Sequence, residues 1–166
     1  MLGPITTRAF PIDTYSSFYL SLFALMREHH VRRIFAMATA AVSQPGDQFA
    51  FTRFLLVLVV RTLAQSAYRA MHEIARVFAE EAEGIDWTVY RIAGIPGGCS
   101  EEEWRRDRED GEVFEGCIGE KGWWVMQKRG ALARWLVDAA EDGKEKWIGK
   151  MPAVGKLAWS EKRKTE

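Results

Sequence analysis

Apolar and polar positions along the chain alternate between two rhythms, one of helices and one of strands. Tyr15, Phe18, Tyr19, Leu22, Phe23 and Met26 recur at steps of three and four, which predicts a helix from about residue 15 to 28 with Asp13 and Thr14 able to cap it. Residues 31–37 read as a strand centred on Ile34, Phe35 and Met37, followed by small residues and the hydroxyl of Ser43. "SQPGD" (43–47) has turn chemistry, with Asp47 placed to cap a helix over about 49–63. The run "FLLVLVV" (54–60) inside it reads as a buried face. A second helix over 67–83 follows, with Ala67, Met71, Ile74, Ala75 and Phe78 in a stripe and Gly84 at a left-handed stop.

"DWTVYRIAG" (86–94) alternates as a strand. Residues 95–111 read as a loop, 112–127 as one or two short strands, 130–141 as a helix ended by Gly143, and 146–154 as a last short strand. This alternation predicts an α/β fold, with about three parallel strands, helices on both faces and a small irregular region around 95–128 towards the C-terminus.

Composition narrows the picture. A chain of 166 residues suits one domain, and 23 basic against 23 acidic residues give no global field for nucleic acid. Residues 101–120 concentrate nine acids against three arginines, as a solvated loop would. Cys99 and Cys117 make neither a metal spacing nor a disulfide framework. With no signal-peptide pattern and no run near the roughly 20 apolar residues of a membrane span, the expectation is a cytoplasmic protein without a membrane partner. His29 and His30 end the first helix, where cations suit its dipole, and no third ligand stands near them for a metal.

Three stretches, "MREHHVRRIFAMAT", "EGIDWTVYRIAGI" and "KRGALARWLVDAAEDG", with the long helix between the first two, resemble in order and spacing the later half of atypical short-chain dehydrogenases. Within that superfamily the resemblance is to NmrA-like, NAD(P)H-binding proteins of fungal type, and it runs over about residues 2–155, leaving 156–166 as a basic tail. It implies a partial Rossmann-like sheet, nicotinamide dinucleotide (NADP or NAD) as cofactor, and an oxidoreductase or redox sensor. "MLGP" would be the end of the family's central strand, so the family's glycine-rich dinucleotide loop would precede this sequence. Gly3 and Pro4, Ala38 and Thr39, and Ala93, Gly94 and Ile95 would then face the cofactor from strand ends, where α/β ligands bind.

The superfamily's catalytic tyrosine and lysine stand four residues apart. Tyr68 and His72 have that spacing, although counting back from Gly84 puts the lysine position at Glu73. The reading preferred on the sequence makes Tyr68 and His72 ordinary interface or surface residues and assigns no catalytic pair. Arg91 matches a family arginine with a structural role and needs an acidic or backbone partner. "GIPGGCSEEE" (94–103) is the one glycine cluster after a strand. Ser100 and Glu103 would form a capping box there, and three consecutive glutamates oppose a phosphate. The alternative expectation is a cofactor-free interaction module, or an inactive remnant, that forms homo-oligomers or takes a protein partner through an exposed sheet edge.

Overall fold

The computed structural model describes Pro11 and residues 13–98, 100–108, 112–141 and 145–158. In chain order these form α1 (Thr14–Glu28), β1 (Arg33–Thr39), α2 (Phe51–Leu63), α3 (Gln65–Glu81), β2 (Asp86–Ile92), α4 (Glu101–Arg108), β3 (Val113–Gly116), α5 (Arg129–Glu141), a 3-10 turn (Glu145–Trp147) and β4 (Ala153–Lys156). The sheet order is β1-β2-β4-β3. β1 and β2 run parallel over their whole length, from Arg33 opposite Asp86 to Thr39 opposite Ile92. β4 continues parallel beside β2, with Ala153 opposite Arg91. The three expected parallel strands are thus present, and a fourth, β3, is antiparallel to β4 and makes the sheet mixed.

Period-two alternation decides what each face meets. Ile34, Ala36 and Ala38 of β1 and Trp87 and Val89 of β2 point to a layer built from Phe23 and Met26 of α1 and Met71, Ile74 and Phe78 of α3. Tyr19, Phe23 and Phe78 meet edge to face or tilted in that layer. On the opposite face Phe35, Met37, Tyr90, Ile92 and Val154 pack on Leu132 and Trp135 of α5. The expected helices on both faces are present. β3 is tied to the second layer because Trp135 Nε1 donates to Glu115 at 2.7 Å.

Several local expectations give way. Asp13 sits at the N-cap of α1 with helical backbone, φ -81° and ψ -5°, and makes no side-chain cap, while Thr14 donates its hydroxyl to the Pro11 carbonyl. α1 ends with Val31 N–H bonded to Met26 O at 2.8 Å and His30 at φ 56°, a left-handed position usually given to glycine. Gly84 does take a positive φ, 75°, before β2. The expected loop over 95–111 contains α4. The stop at Gly143 lies outside the described residues. The last strand starts later than expected because Glu145–Trp147 forms a 3-10 turn first.

The largest departure is α2, which contains "FLLVLVV" and buries none of its residues fully. It ends where Ala64 leaves helical backbone, and α3 sets off at 114° to it. No single helix among the described residues is long and apolar enough to cross a membrane.

Candidate functional site

The carboxyl ends of β1 and β2 lie side by side, because the ladder continues one step past the strands through Ala40 N–H to Ile92 O at 2.9 Å. The chain then folds back over these ends in a loop of residues 40–50. A buried ion pair holds that loop. Arg91, 1% exposed, donates from Nη1 and Nη2 to the two oxygens of Asp47 at 2.5 and 2.9 Å. Its remaining donors reach Val42 O at 2.9 Å and Met151 O at 2.6 Å. Asp47 also accepts the Gln44 and Ile118 N–H groups at 2.8 and 3.0 Å. Burial alone would raise the Asp47 carboxyl, but the Arg91 hydrogen bonds, the two N–H groups and the Arg91 charge outweigh it and hold the carboxyl below its usual value. Asp47 is therefore a latch for the β1 loop and does not cap α2, whose N-cap is Ala50.

Arg53, on the first turn of α2, joins this cluster. It donates to Ala40 O at 2.8 Å and to the Ser43 hydroxyl at 2.6 Å, and its Nη2 lies 3.8 Å from Asp47. Ser43 and Arg53 face an open cavity of about 240 Å³ whose other walls include Phe49, Phe54, Tyr68 and His72. The Tyr68 and His72 rings touch, their centroids 4.4 Å apart and tilted by 47°, because four residues make one turn of α3. His72 Nε2 is buried without a hydrogen-bond partner. Burial, and then the charge of Arg53, push its pKa below the ordinary histidine value, so the imidazole is held neutral. A hydroxyl held by a guanidinium, a phenol and a neutral imidazole thus share one apolar-walled cavity. That set can orient a small molecule with a carbonyl or hydroxyl oxygen and exchange a proton with it.

Gly3 and Pro4 lie outside the described residues. Ala38 is 1% exposed at the end of β1, and the Thr39 hydroxyl accepts the Ala41 N–H at 3.0 Å. Ala93 packs with Phe114 and Ile118, and Ile95 packs with the α5 layer. Gly94 is closed over by Met126, whose Sδ would lie 2.4 Å from a Cβ there. These positions line the packed floor of the strand ends, and the open volume lies beside them, over Ala41 and Ser43.

The glycine cluster after β2 is filled by the protein's own acids. Gly98 N–H donates to Glu103 at 3.2 Å, and Glu103 and Ser100 complete the capping box of α4. Gly97, at φ 115°, leaves room for the Asp107 carboxylate. A diphosphate needs such N–H groups free, and in this cluster the Gly98 N–H is taken by Glu103. Sequence reading singled out Tyr68, His72 and Arg91. It assigned Asp47 a helix cap and passed over Arg53, whose only signal was a cation at the start of an apolar helix.

No family model and no curated protein matches the chain. Its fold, however, is found among solved structures. A short-chain dehydrogenase/reductase from Veillonella parvula, in complex with NADP, matches with a TM-score of 0.64 at 14% identity, over 90% of this chain and 62% of that one. A candidate NAD-dependent epimerase/dehydratase from Bacillus halodurans matches at 0.55 and 13% identity, over 94% and 63%. An oxidoreductase from Lactococcus lactis matches at 0.52 and 14%, over 82% and 52%. The chain thus spans about six-tenths or less of the length of these proteins, and the likeness establishes a Rossmann-like fold.

Proposed function

We propose that this chain belongs to a nicotinamide-dinucleotide-binding protein of the atypical short-chain dehydrogenase, NmrA-like type, acting as an oxidoreductase or a redox sensor with NADP or NAD. The observation that carries this reading is the cavity beside the carboxyl ends of β1 and β2, where Ser43, Tyr68 and His72 meet. In an open α/β sheet a ligand lies outside those ends, and the Veillonella protein of the same fold binds NADP. The nicotinamide end would lie in the open volume over Ala41 and Ser43, beside Ala38, Thr39 and Ala93–Ile95. The diphosphate contacts fall outside the residues described.

For the chain's own residues the chemistry is proton handling. Tyr68 would donate its phenolic proton to a substrate oxygen held by Ser43, and His72 would relay a proton to the phenol. A neutral imidazole cannot lower the phenol pKa as a cation does, so the pair would work as a relay rather than by charge. Calorimetric titration of the full chain with NADPH and with NADH tests the reading. Saturable heat with either is expected, and Tyr68→Phe should keep it while losing turnover of small aldehydes or ketones. A folded chain that gives no heat with either dinucleotide would overturn the proposal.

One observation favours a second reading, a cofactor-free interaction module. Among the described residues β1 stands at the edge of the sheet and pairs only with β2, and an open strand edge is a template for another chain. Concentration-dependent association with no dinucleotide binding would support it.

A further inference from the structure

The exposed side of α2 is a stripe, not a scatter. Phe51, Phe54, Leu55, Leu58, Val59 and Leu63 follow one another at helical spacing and are 45–70% exposed, while Arg53, Leu56, Val57 and Val60 turn inward and are half-buried. With the neighbouring Phe49, 82% exposed, the patch amounts to on the order of 700 Å² at ordinary side-chain areas. That exceeds the roughly 300–600 Å² of the largest patch on a typical monomer. It is close to the roughly 800 Å² that one partner contributes to a standard interface.

The stripe is complementary to itself in one arrangement. If two copies of α2 lie antiparallel with the two-fold axis midway between Leu55 and Leu58, each phenylalanine of the helix meets a smaller side chain and the leucines meet each other. Phe54 then faces Val59 of the partner subunit, Phe51 faces Thr62 of the partner subunit, and Leu55 faces Leu58 of the partner subunit. Thr62 suits a dry contact because its hydroxyl already bonds back to Leu58 O and Val59 O, both at 3.0 Å. The arrangement also opposes the two helix dipoles and keeps the Arg61 side chains at opposite ends. A parallel pair would bring the two Arg61 together and set Phe51 and Phe54 against their own copies.

We propose that this chain forms a homodimer through α2, the two helices packed antiparallel along this stripe. The interface is distinct from the β1 edge. Because Phe54 belongs both to the stripe and to the wall of the cavity, the partner's helix covers that wall and shelters the cavity from water.

Sedimentation equilibrium of the full chain under reducing conditions, over the micromolar range, tests the proposal. Wild type should be dimeric, and Leu55→Glu/Leu58→Glu should raise the dimer Kd by roughly a hundredfold or more with its far-UV circular dichroism unchanged. Val59→Lys, a single change at an exposed position, should shift it in the same direction and decides the matter if the double variant does not fold. A monomeric wild type overturns the proposal, and so does a dimer that both variants leave intact. Flotation of monomeric wild type with phosphatidylcholine/phosphatidylserine vesicles, lost in Val59→Lys, would assign the stripe to a lipid surface and overturn it as well.

Discussion

Asp47→Asn puts the latch under direct test. The change keeps shape but removes the charge that balances Arg91, and it presents an amide NH₂ to a guanidinium that can only donate. The side chains of Arg91 and Asp47 are 1% and 3% exposed, so water cannot replace the lost partner. Breaking a buried pair on one side costs about 3–5 kcal/mol, against a total stability of roughly 5–15 kcal/mol for a domain. At about 2–4 °C per kcal/mol for a chain of this size, Tm should fall by roughly 6–20 °C.

The pH dependence adds a signature that plain damage to packing would not show. The folded Asp47 carboxyl lies below its usual value, so the unfolded chain takes up the proton first as pH falls. Its stabilisation is fully present above about pH 3.9 and is lost as pH drops through the folded value. The difference between wild type and variant should therefore narrow in acid. Urea unfolding followed by circular dichroism across that range measures both effects. A variant within about 0.5 kcal/mol of wild type at neutral pH, the size of an ordinary surface change, would refute the reasoning.

Two further outcomes follow from the same geometry. His72 stays neutral in the fold while the unfolded chain protonates, so stability should decline as pH falls through about 6.5 towards the lower folded value. Nuclear magnetic resonance titration of the imidazole checks the direction, and His72→Gln should flatten that part of the urea-midpoint profile. His30→Gly should stabilise the protein by about 0.5–1 kcal/mol, since it relieves a left-handed residue at the end of α1; thermal melts of the two proteins measure it.

Much of the layer structure was readable because it repeats. Ile34 to Thr39 and Trp87 to Ile92 alternate, and the α3 stripe of Met71, Ile74 and Phe78 has one apolar side. What escaped was short or was decided at a distance. α4 has eight residues and a single apolar one, Trp104, so periodicity could not reveal it and only the Ser100–Glu103 cap did. β3 has four residues, too few to show that it would run antiparallel.

The site was legible as residue types and not as a cluster. Tyr68 and His72 are one turn apart, which spacing alone displays. Asp47 meets Arg91 across 44 positions of sequence, and its local signal, an acid before a helix, pointed to a different job. The inside and outside of α2 could not be separated either, because both sides of that helix are apolar.

The order β1-β2-β4-β3 also constrains how the protein can be made. Each strand from β1 to β2 can be laid down as it leaves the ribosome, but β3 emerges before the strand that joins it to the sheet. Residues 113–116 wait without a ladder, and the second edge of β2 stays open, until residues 153–156 arrive and slot between them. Completion of the sheet therefore waits for residues 153–156, which pair with both β2 and β3. Until then the second edge of β2 and the unpaired residues 113–116 are available to neighbouring nascent chains.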